Sequence, residues 1–397
     1  MRAAVVGGGY VGQSTAALLA LKGIETVIID INPVIVDSIN AGKPTVADEH
    51  VIRVWPEVRG RIRATTSYDP IGDADVVIIA VNTPPKHVGN KLVELLKKRV
   101  VDVEEFINLS PLRSASAGVA ERVKRGVLIA LETTIYPGGT EENVARALED
   151  EGLVPGKDVY LVHAPERVDP GNRRWWTGNI PRVIGGVGEG SLERGLRFYR
   201  DVLGLEMHPV SNVRVAELSK IYENAYRLVN IAYAQEALMR AGVNVLEMLD
   251  AVSTKPFGIK VFYPGPYAGG TCLVKDSLMY YASTGSEIVR NALIINEETP
   301  KWFARAILQR IRGLGAKKVL IKGVGYKPGS PYRGDPRLNP VDRVVAELRR
   351  LAPDIEVVRF DERAPEASDV SSVREGECDV VIEWSYRGFL GFIYGGV

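Results

Sequence analysis

One hexapeptide, Gly7-Gly8-Gly9-Tyr10-Val11-Gly12, constrains this chain more than any other feature. It follows directly on the apolar run Ala3–Val6 and precedes a helical pattern from Ser14 to Leu21. Glycines spaced G-x-G-x-x-G at a strand-to-helix junction serve one geometry. Gly7 permits a tight turn, Gly9 leaves backbone bare for a pyrophosphate, and Gly12 lets helix and strand pack closely. The first N–H groups of the helix, with Tyr10 and Val11 in its opening turn, then face the phosphates.

The next apolar run, "TVIID", ends in Asp30, about 20 residues on, where a carboxylate holds the adenosine ribose diol. That carboxylate repels a 2′-phosphate, and Ile31-Asn32 supply no arginine to bind one. NAD is therefore the expected cofactor rather than NADP. The related Gly323-Val324-Gly325 lacks the third glycine, so a second dinucleotide site is not expected there.

The rest of the chain extends the theme. "DVVIIAV" (75–81), "GVLIALETT" (126–134), "VYLVHAPER" (159–167) and "RVIGGV" (182–187) are apolar runs that suit strands buried on both faces. From Val213 to Ala241 the pattern changes to one helical period, about 40 Å long at 1.5 Å per residue. After Pro300, "KKVLIKGVGYKPG", "IEVVRFDE" and "CDVVIEW" repeat the first theme in order. The expected fold is α/β, with two Rossmann-like doubly wound domains joined by a long central helix. The expected domains are a nucleotide-binding domain over 1–205, a helical connector and dimerisation region over 206–300, and a smaller α/β domain over 301–397.

Composition excludes several other roles. A formal net charge of +1 over 397 residues gives no field to gather nucleic acid or coat an anionic membrane. No run of about 18 apolar residues spans a bilayer. Two cysteines, Cys272 and Cys378, make no disulfide framework and fit a reducing, cytoplasmic setting. His50, His87 and His208 have no metal-binding spacing, so no metal is expected.

Cys272 poses the functional question. It sits in "YAGGTCLVKDS", where Gly269-Gly270 admit a close ligand and Lys275-Asp276 make the setting polar. A nearby cation raises the thiolate fraction of a cysteine. The segment "FYPGPYAGGTCLVKD" (262–276) resembles the nucleotide-sugar 6-dehydrogenases, the family of UDP-glucose and UDP-N-acetylhexosamine dehydrogenases. The likeness covers nearly the whole chain. "GGGYVG", "ADVVIIAVNTPP", "LETTIYPGGT", "HAPERVDPGN", "AELSKIYENAYR" and "YKPGSPYRGDPRLNP" occur in the family's order.

The resemblance implies a four-electron oxidation of a sugar C6 alcohol to a carboxylate, with two NAD reduced and no aldehyde released. It assigns Cys272 as nucleophile, Lys220 and Asn224 as oxyanion donors, and Glu166, Asp276 and Thr134 as groups that manage the hydrolytic water. Lys220 and Asn224 fall on one helical face. To the cofactor it assigns Thr83, Pro84, Thr134 and Lys275 beside the glycine turn. To the UDP-sugar it assigns Glu166, Arg167, Val168, Lys220, Asn224, Tyr263, Gly269, Lys327 and Arg337. The long central helix, in turn, implies a homodimer.

"ERVDPGN", "NIPRVIGG" and "STKPFGIKVFYPGP" resemble the UDP-N-acetylglucosamine 6-dehydrogenase branch. The UDP-glucose branch reads phenylalanine-leucine where Arg167-Val168 stand. The chain departs from the acetamido-sugar pattern at Thr271, where histidine is usual, and at Val274, where proline is common. UDP-glucose dehydrogenase, a one-hydride hydroxyacid dehydrogenase and a non-catalytic nucleotide-sugar or NAD sensor remain alternatives. The segment His87–Ile107 is longer than the family's usual loop and has no role on sequence grounds.

Overall fold

The structure, a computed structural model, describes residues 1–46, 48–168, 172, 174–324, 339–362, 368–385 and 388–394. It divides into two units, one of residues 1–86 and 103–223, the other of residues 87–102 and 224–397.

The first unit is built on an eight-stranded sheet. Its strands are β1 (Arg2–Val6), β2 (Glu25–Ile29), β3 (Ile62–Thr65), β4 (Val76–Ile79), β5 (Leu128–Leu131), β6 (Tyr160–His163), β7 (Arg182–Val187) and β8 (Met207–Pro209). They lie in the order β3-β2-β1-β4-β5-β6-β7-β8. The 3-2-1-4-5-6 part is the doubly wound dinucleotide arrangement. Alternate residues of the central strands are buried on opposite faces: Val5, Ile78 and Ala130 on one, Ala4, Val77 and Ile129 on the other. That two-sided burial is why the strands read as unbroken apolar runs rather than alternating ones.

One strand departs from the parallel expectation. β7 pairs antiparallel to β6, with Val162 opposite Gly186. Parallel neighbours need a crossover element, and no helix lies between His163 and Arg182 among the described residues. β8 returns parallel to β7 after the helix Ser191–Leu196.

The helix Val213–Arg240 carries the chain from the first unit into the second. The second unit continues with helices Val245–Ser253, Thr271–Thr284 and Glu287–Gly313. A four-stranded sheet follows: β9 (Lys318–Lys322), β10 (Glu356–Phe360), β11 (Val380–Ser385) and β12 (Gly388–Tyr394), in the order β10-β9-β11-β12. β9, β10 and β11 are parallel, and β12 closes an antiparallel hairpin with β11. The helices Glu287–Gly313 and Pro340–Leu351 share an apolar core with this sheet, including Phe303, Ile307, Ile321, Val344 and Leu348. Among the described residues no helix is long and apolar enough to cross a membrane. None of their His, Cys, Asp and Glu side chains cluster as a metal site.

Candidate active site

The glycine turn joins β1 to the helix Tyr10–Leu21, and its glycines are not equivalent. Gly7 has φ +104°, and a Cβ there would stand 2.4 Å from the Ala80 carbonyl oxygen. A Cβ on Gly12 would stand 1.8 Å from the Gly7 carbonyl oxygen. Gly9 meets nothing within 4 Å of an added Cβ. Two glycines are thus required by the protein's own packing, while the third borders open space. Gly9 also caps the helix without a side-chain acceptor for the first-turn N–H groups. That bare helix start and the space beside Gly9 fit a dinucleotide's pyrophosphate.

Asp30 follows β2 and is tied to the turn. Its Oδ2 accepts the Gly8 N–H at 2.6 Å and its Oδ1 accepts the Asn32 N–H at 2.8 Å. A carboxylate has about four acceptor positions, so capacity for a diol remains. The Tyr10 hydroxyl donates to Asp48, and the buried Gln13 binds the Gly8 carbonyl and the Thr45 N–H. Val11 is half-buried beside them. Thr83, after β4, is buried and donates its hydroxyl to the Thr134 carbonyl at 3.3 Å. The Pro84 carbonyl accepts the Asn108 N–H, and Thr134 itself is half-buried.

Glu166 stands three residues past β6, buried. Its Oε2 accepts the Val168 N–H at 2.6 Å, while Oε1 has no partner among the described residues. Burial raises the pKa of this carboxyl, and the charges of Arg182 and Lys220 oppose the rise. His163 is fully buried on β6, and that burial lowers its pKa to about 3, so the imidazole is neutral. Arg167 is engaged: it grips both Glu223 carboxylate oxygens, at 2.5 and 3.2 Å, and donates to the Pro181 carbonyl. Lys220 is half-buried on the long helix. One turn earlier, Glu217 accepts the Gly138 and Thr140 N–H groups, anchoring the loop that begins at Thr133.

In the second unit, the helix Thr271–Thr284 starts immediately after Gly270, which has φ +78°. Cys272 is the second residue of that helix and exposed. Cys378 has the opposite setting, packed with Leu320, Val358 and Val381. One turn beyond Cys272, Asp276 is buried, with Lys275 Nζ 2.7 Å from Oδ1 and Asn224 Nδ2 donating to Oδ2 at 2.5 Å. Tyr263 donates its hydroxyl to Asp250 at 2.8 Å, and Gly269 is half-buried. Lys327 and Arg337 lie outside the described residues.

Two polar clusters escaped sequence reasoning. Glu132, after β5, accepts hydrogen bonds from Thr15, Arg182 and Tyr199 at 2.7, 2.8 and 2.8 Å, and the Arg182–Glu132 pair is fully buried. The other centres on Asn296 and Glu297 of the helix Glu287–Gly313, both buried. The only sequence signal for either was a charged residue at an apolar position of its element.

Strand order and glycine turn together define a dinucleotide-binding domain of the Rossmann type. Residues 1–203 match the NAD binding domain of the UDP-glucose/GDP-mannose dehydrogenase family, and residues 214–298 match its central domain. The chain belongs to this family and is an NAD-dependent oxidoreductase. It is 32% identical over 367 residues to the UDP-N-acetyl-D-mannosamine dehydrogenase of Pyrococcus horikoshii, covering 89% of this chain and 82% of that protein. The structure of UDP-D-ManNAc dehydrogenase from Pyrococcus horikoshii superposes with a TM-score of 0.83 at 30% identity, covering 96% and 88% of the two chains. That of the UDP-N-acetyl-mannosamine dehydrogenase of Staphylococcus aureus gives 0.78 at 28%, covering 97% and 88%.

Proposed function

We propose that the chain oxidises the C6 primary alcohol of a UDP-N-acetylhexosamine, UDP-GlcNAc or UDP-ManNAc, to the carboxylate, with two NAD reduced per sugar. The observation that carries this reading is the setting of Cys272, exposed at a helix start one turn from the buried Asp276–Asn224–Lys275 cluster. A dehydrogenase that stops at one hydride needs no such sulfur. The relatives' names and the Arg167-Val168 pair after Glu166 favour an acetamido sugar over glucose.

NAD would be held by the Gly7–Gly12 turn, Tyr10, Val11, Asp30, Thr83, Pro84, Thr134 and Lys275, and it supplies the hydride acceptor for both oxidations. The Lys220 ammonium and Asn224 amide, one turn apart, stabilise negative charge as it develops on the C6 oxygen. The Cys272 thiolate adds to the aldehyde carbon, and the resulting alkoxide takes a proton to give a thiohemiacetal. Loss of the second hydride equivalent leaves a thioester on Cys272. Water adds to its carbonyl, the C–S bond breaks, and the thiolate is restored as the carboxylate departs. Glu166, with its raised pKa, takes and returns protons in these steps, while Asp276 and Thr134 hold the water. Arg167, Val168, Tyr263, Gly269, Lys327 and Arg337 bind the UDP-sugar. One alcohol and one water thus yield one carboxylate, with four electrons passing to two NAD.

The test is stoichiometry. NADH formed per UDP-sugar consumed should be two, and Cys272→Ala should bind NAD and UDP-sugar while releasing no uronate. A ratio of one, or normal turnover by the variant, overturns the scheme. We infer in addition a cytoplasmic homodimer. Tyr222, Tyr226 and Tyr233 are 55%, 48% and 75% exposed on the long helix, an aromatic stripe that a second copy would cover. Light scattering tests it.

A further inference from the structure

The backbone from Phe262 to Gly270, which leads into Cys272, has no helix or strand to hold it. Its shape depends on side chains that reach it from elsewhere. Gln235 donates to the Gly265 carbonyl at 3.1 Å. Asn296 Oδ1 accepts the Ala268 N–H at 2.6 Å and the Gln235 amide at 3.2 Å. The next residue, Glu297, accepts the Tyr267 hydroxyl at 2.7 Å on one oxygen. Its other oxygen accepts the Gly89 N–H at 2.8 Å and pairs with the Arg343 guanidinium.

Glu297 is only 2% exposed. A carboxylate so buried persists only with paired charge and satisfied hydrogen bonds. Here the partners come from three separate stretches of chain. Tyr267 is in the cysteine loop, Gly89 is in the segment that sequence left without a role, and Arg343 is on the helix Pro340–Leu351, which packs on the four-stranded sheet. The Arg343 guanidinium also lies 4.5 Å from the centre of the Tyr267 ring. Arg290 and Arg99 add a second attachment of that segment to the same helix, through the Leu96 carbonyl at 3.3 Å and Glu287 at 3.0 Å.

We infer that Glu297, assisted by Asn296, is a positioning residue for the reaction: it fixes the loop that delivers Cys272 and ties it to the helix Pro340–Leu351 through Arg343. The consecutive residues Asn296 and Glu297 grip the consecutive residues Ala268 and Tyr267, so two adjacent points of the loop are fixed. Beyond them, Gly269-Gly270 have no side chains to add packing, and the cysteine helix begins at once. A displacement of about 1 Å in a reacting group costs on the order of a hundredfold in rate.

This inference rests on Cys272 as the nucleophile. Its test is the kinetics of full-length Glu297→Gln and Tyr267→Phe, together with alkylation of Cys272 by iodoacetamide, followed by peptide mass. In Glu297→Gln, kcat should fall about tenfold to a hundredfold and the alkylation rate should change about fivefold or more, with KM for NAD within about twofold of the parent. Tyr267→Phe, which removes one hydroxyl, should shift both in the same direction by less. Arg343→Met added to Glu297→Gln should cost less than the two single effects combined. Parental kcat and alkylation in Tyr267→Phe, or a KM for NAD that rises as kcat falls, overturns the inference. Should Glu297→Gln fail to fold, Tyr267→Phe decides alone. Should Cys272→Ala turn over normally, the covalent reading falls, and the alkylation rates still decide whether Glu297 sets the loop.

Discussion

The Asn224 amide donates to the Asp276 carboxylate at 2.5 Å, joining the long helix to the cysteine helix one turn past Cys272. Asp276 also faces Lys275, itself buried. Replacing the carboxylate by an amide keeps the shape and removes the charge that would steer water. Asp276→Asn should slow thioester hydrolysis about a hundredfold. An acyl-enzyme adduct should then accumulate on Cys272, visible by intact mass after mixing with NAD and UDP-sugar. Absence of the adduct at a reduced rate would remove Asp276 from the hydrolytic step.

The glycine turn separates binding from folding. Gly9→Ala places its methyl where nothing of the protein stands, so the melting temperature should stay near the parent while KM for NAD rises about tenfold or more. Gly12→Ala drives a methyl to 1.8 Å from the Gly7 carbonyl oxygen and should destabilise at the upper end of the ~1–3 kcal/mol that overpacking costs. Thermal unfolding alongside NAD titration distinguishes the two.

His163 makes stability depend on pH. Its folded pKa of about 3 lies below the ordinary value of 6.5, because burial disfavours the charged ring. Between those values the unfolded chain binds the proton and the folded chain does not. Stability from this residue is complete above 6.5 and falls as pH drops toward about 3, by up to ~1.4 kcal/mol per pH unit. Urea unfolding of the parent and His163→Gln at several pH values should show a shallower slope in the variant.

The Glu132–Arg182 pair is sealed from water. Removing one partner leaves an uncompensated charge, so Arg182→Met should cost about 3–5 kcal/mol. The double change Glu132→Gln with Arg182→Met leaves no net charge behind and should recover much of that loss. Chemical denaturation of the parent and the two variants measures the difference.

How much of this could be read from the residues depended on how far apart the interacting residues lie in sequence. The glycine turn and Asp30 are close together, and buried parallel strands announce themselves as apolar runs, so the first sheet's centre was legible. β3 and β8 are short, and neither forms an apolar run, so they were not. β7 runs antiparallel to β6 with no helix between them among the described residues, an order the apolar run "RVIGGV" cannot reveal. Lys220 and Asn224 could be placed on one face of one helix because a single turn separates them. Glu297 meets partners 30, 46 and 208 positions away, and only folding brings those together. The attachment of His87–Asp102 to the helix Glu287–Gly313 was hidden for the same reason.

The contrast between the two sulfurs carries a practical consequence. A mild oxidant in solution reaches Cys272 long before it reaches Cys378, which lies within an apolar cluster. Under the covalent scheme proposed above, oxidation of Cys272 would silence the protein while its circular dichroism and melting curve stayed unchanged. A preparation could look intact by every structural assay yet be dead, and free-thiol counting would expose the loss.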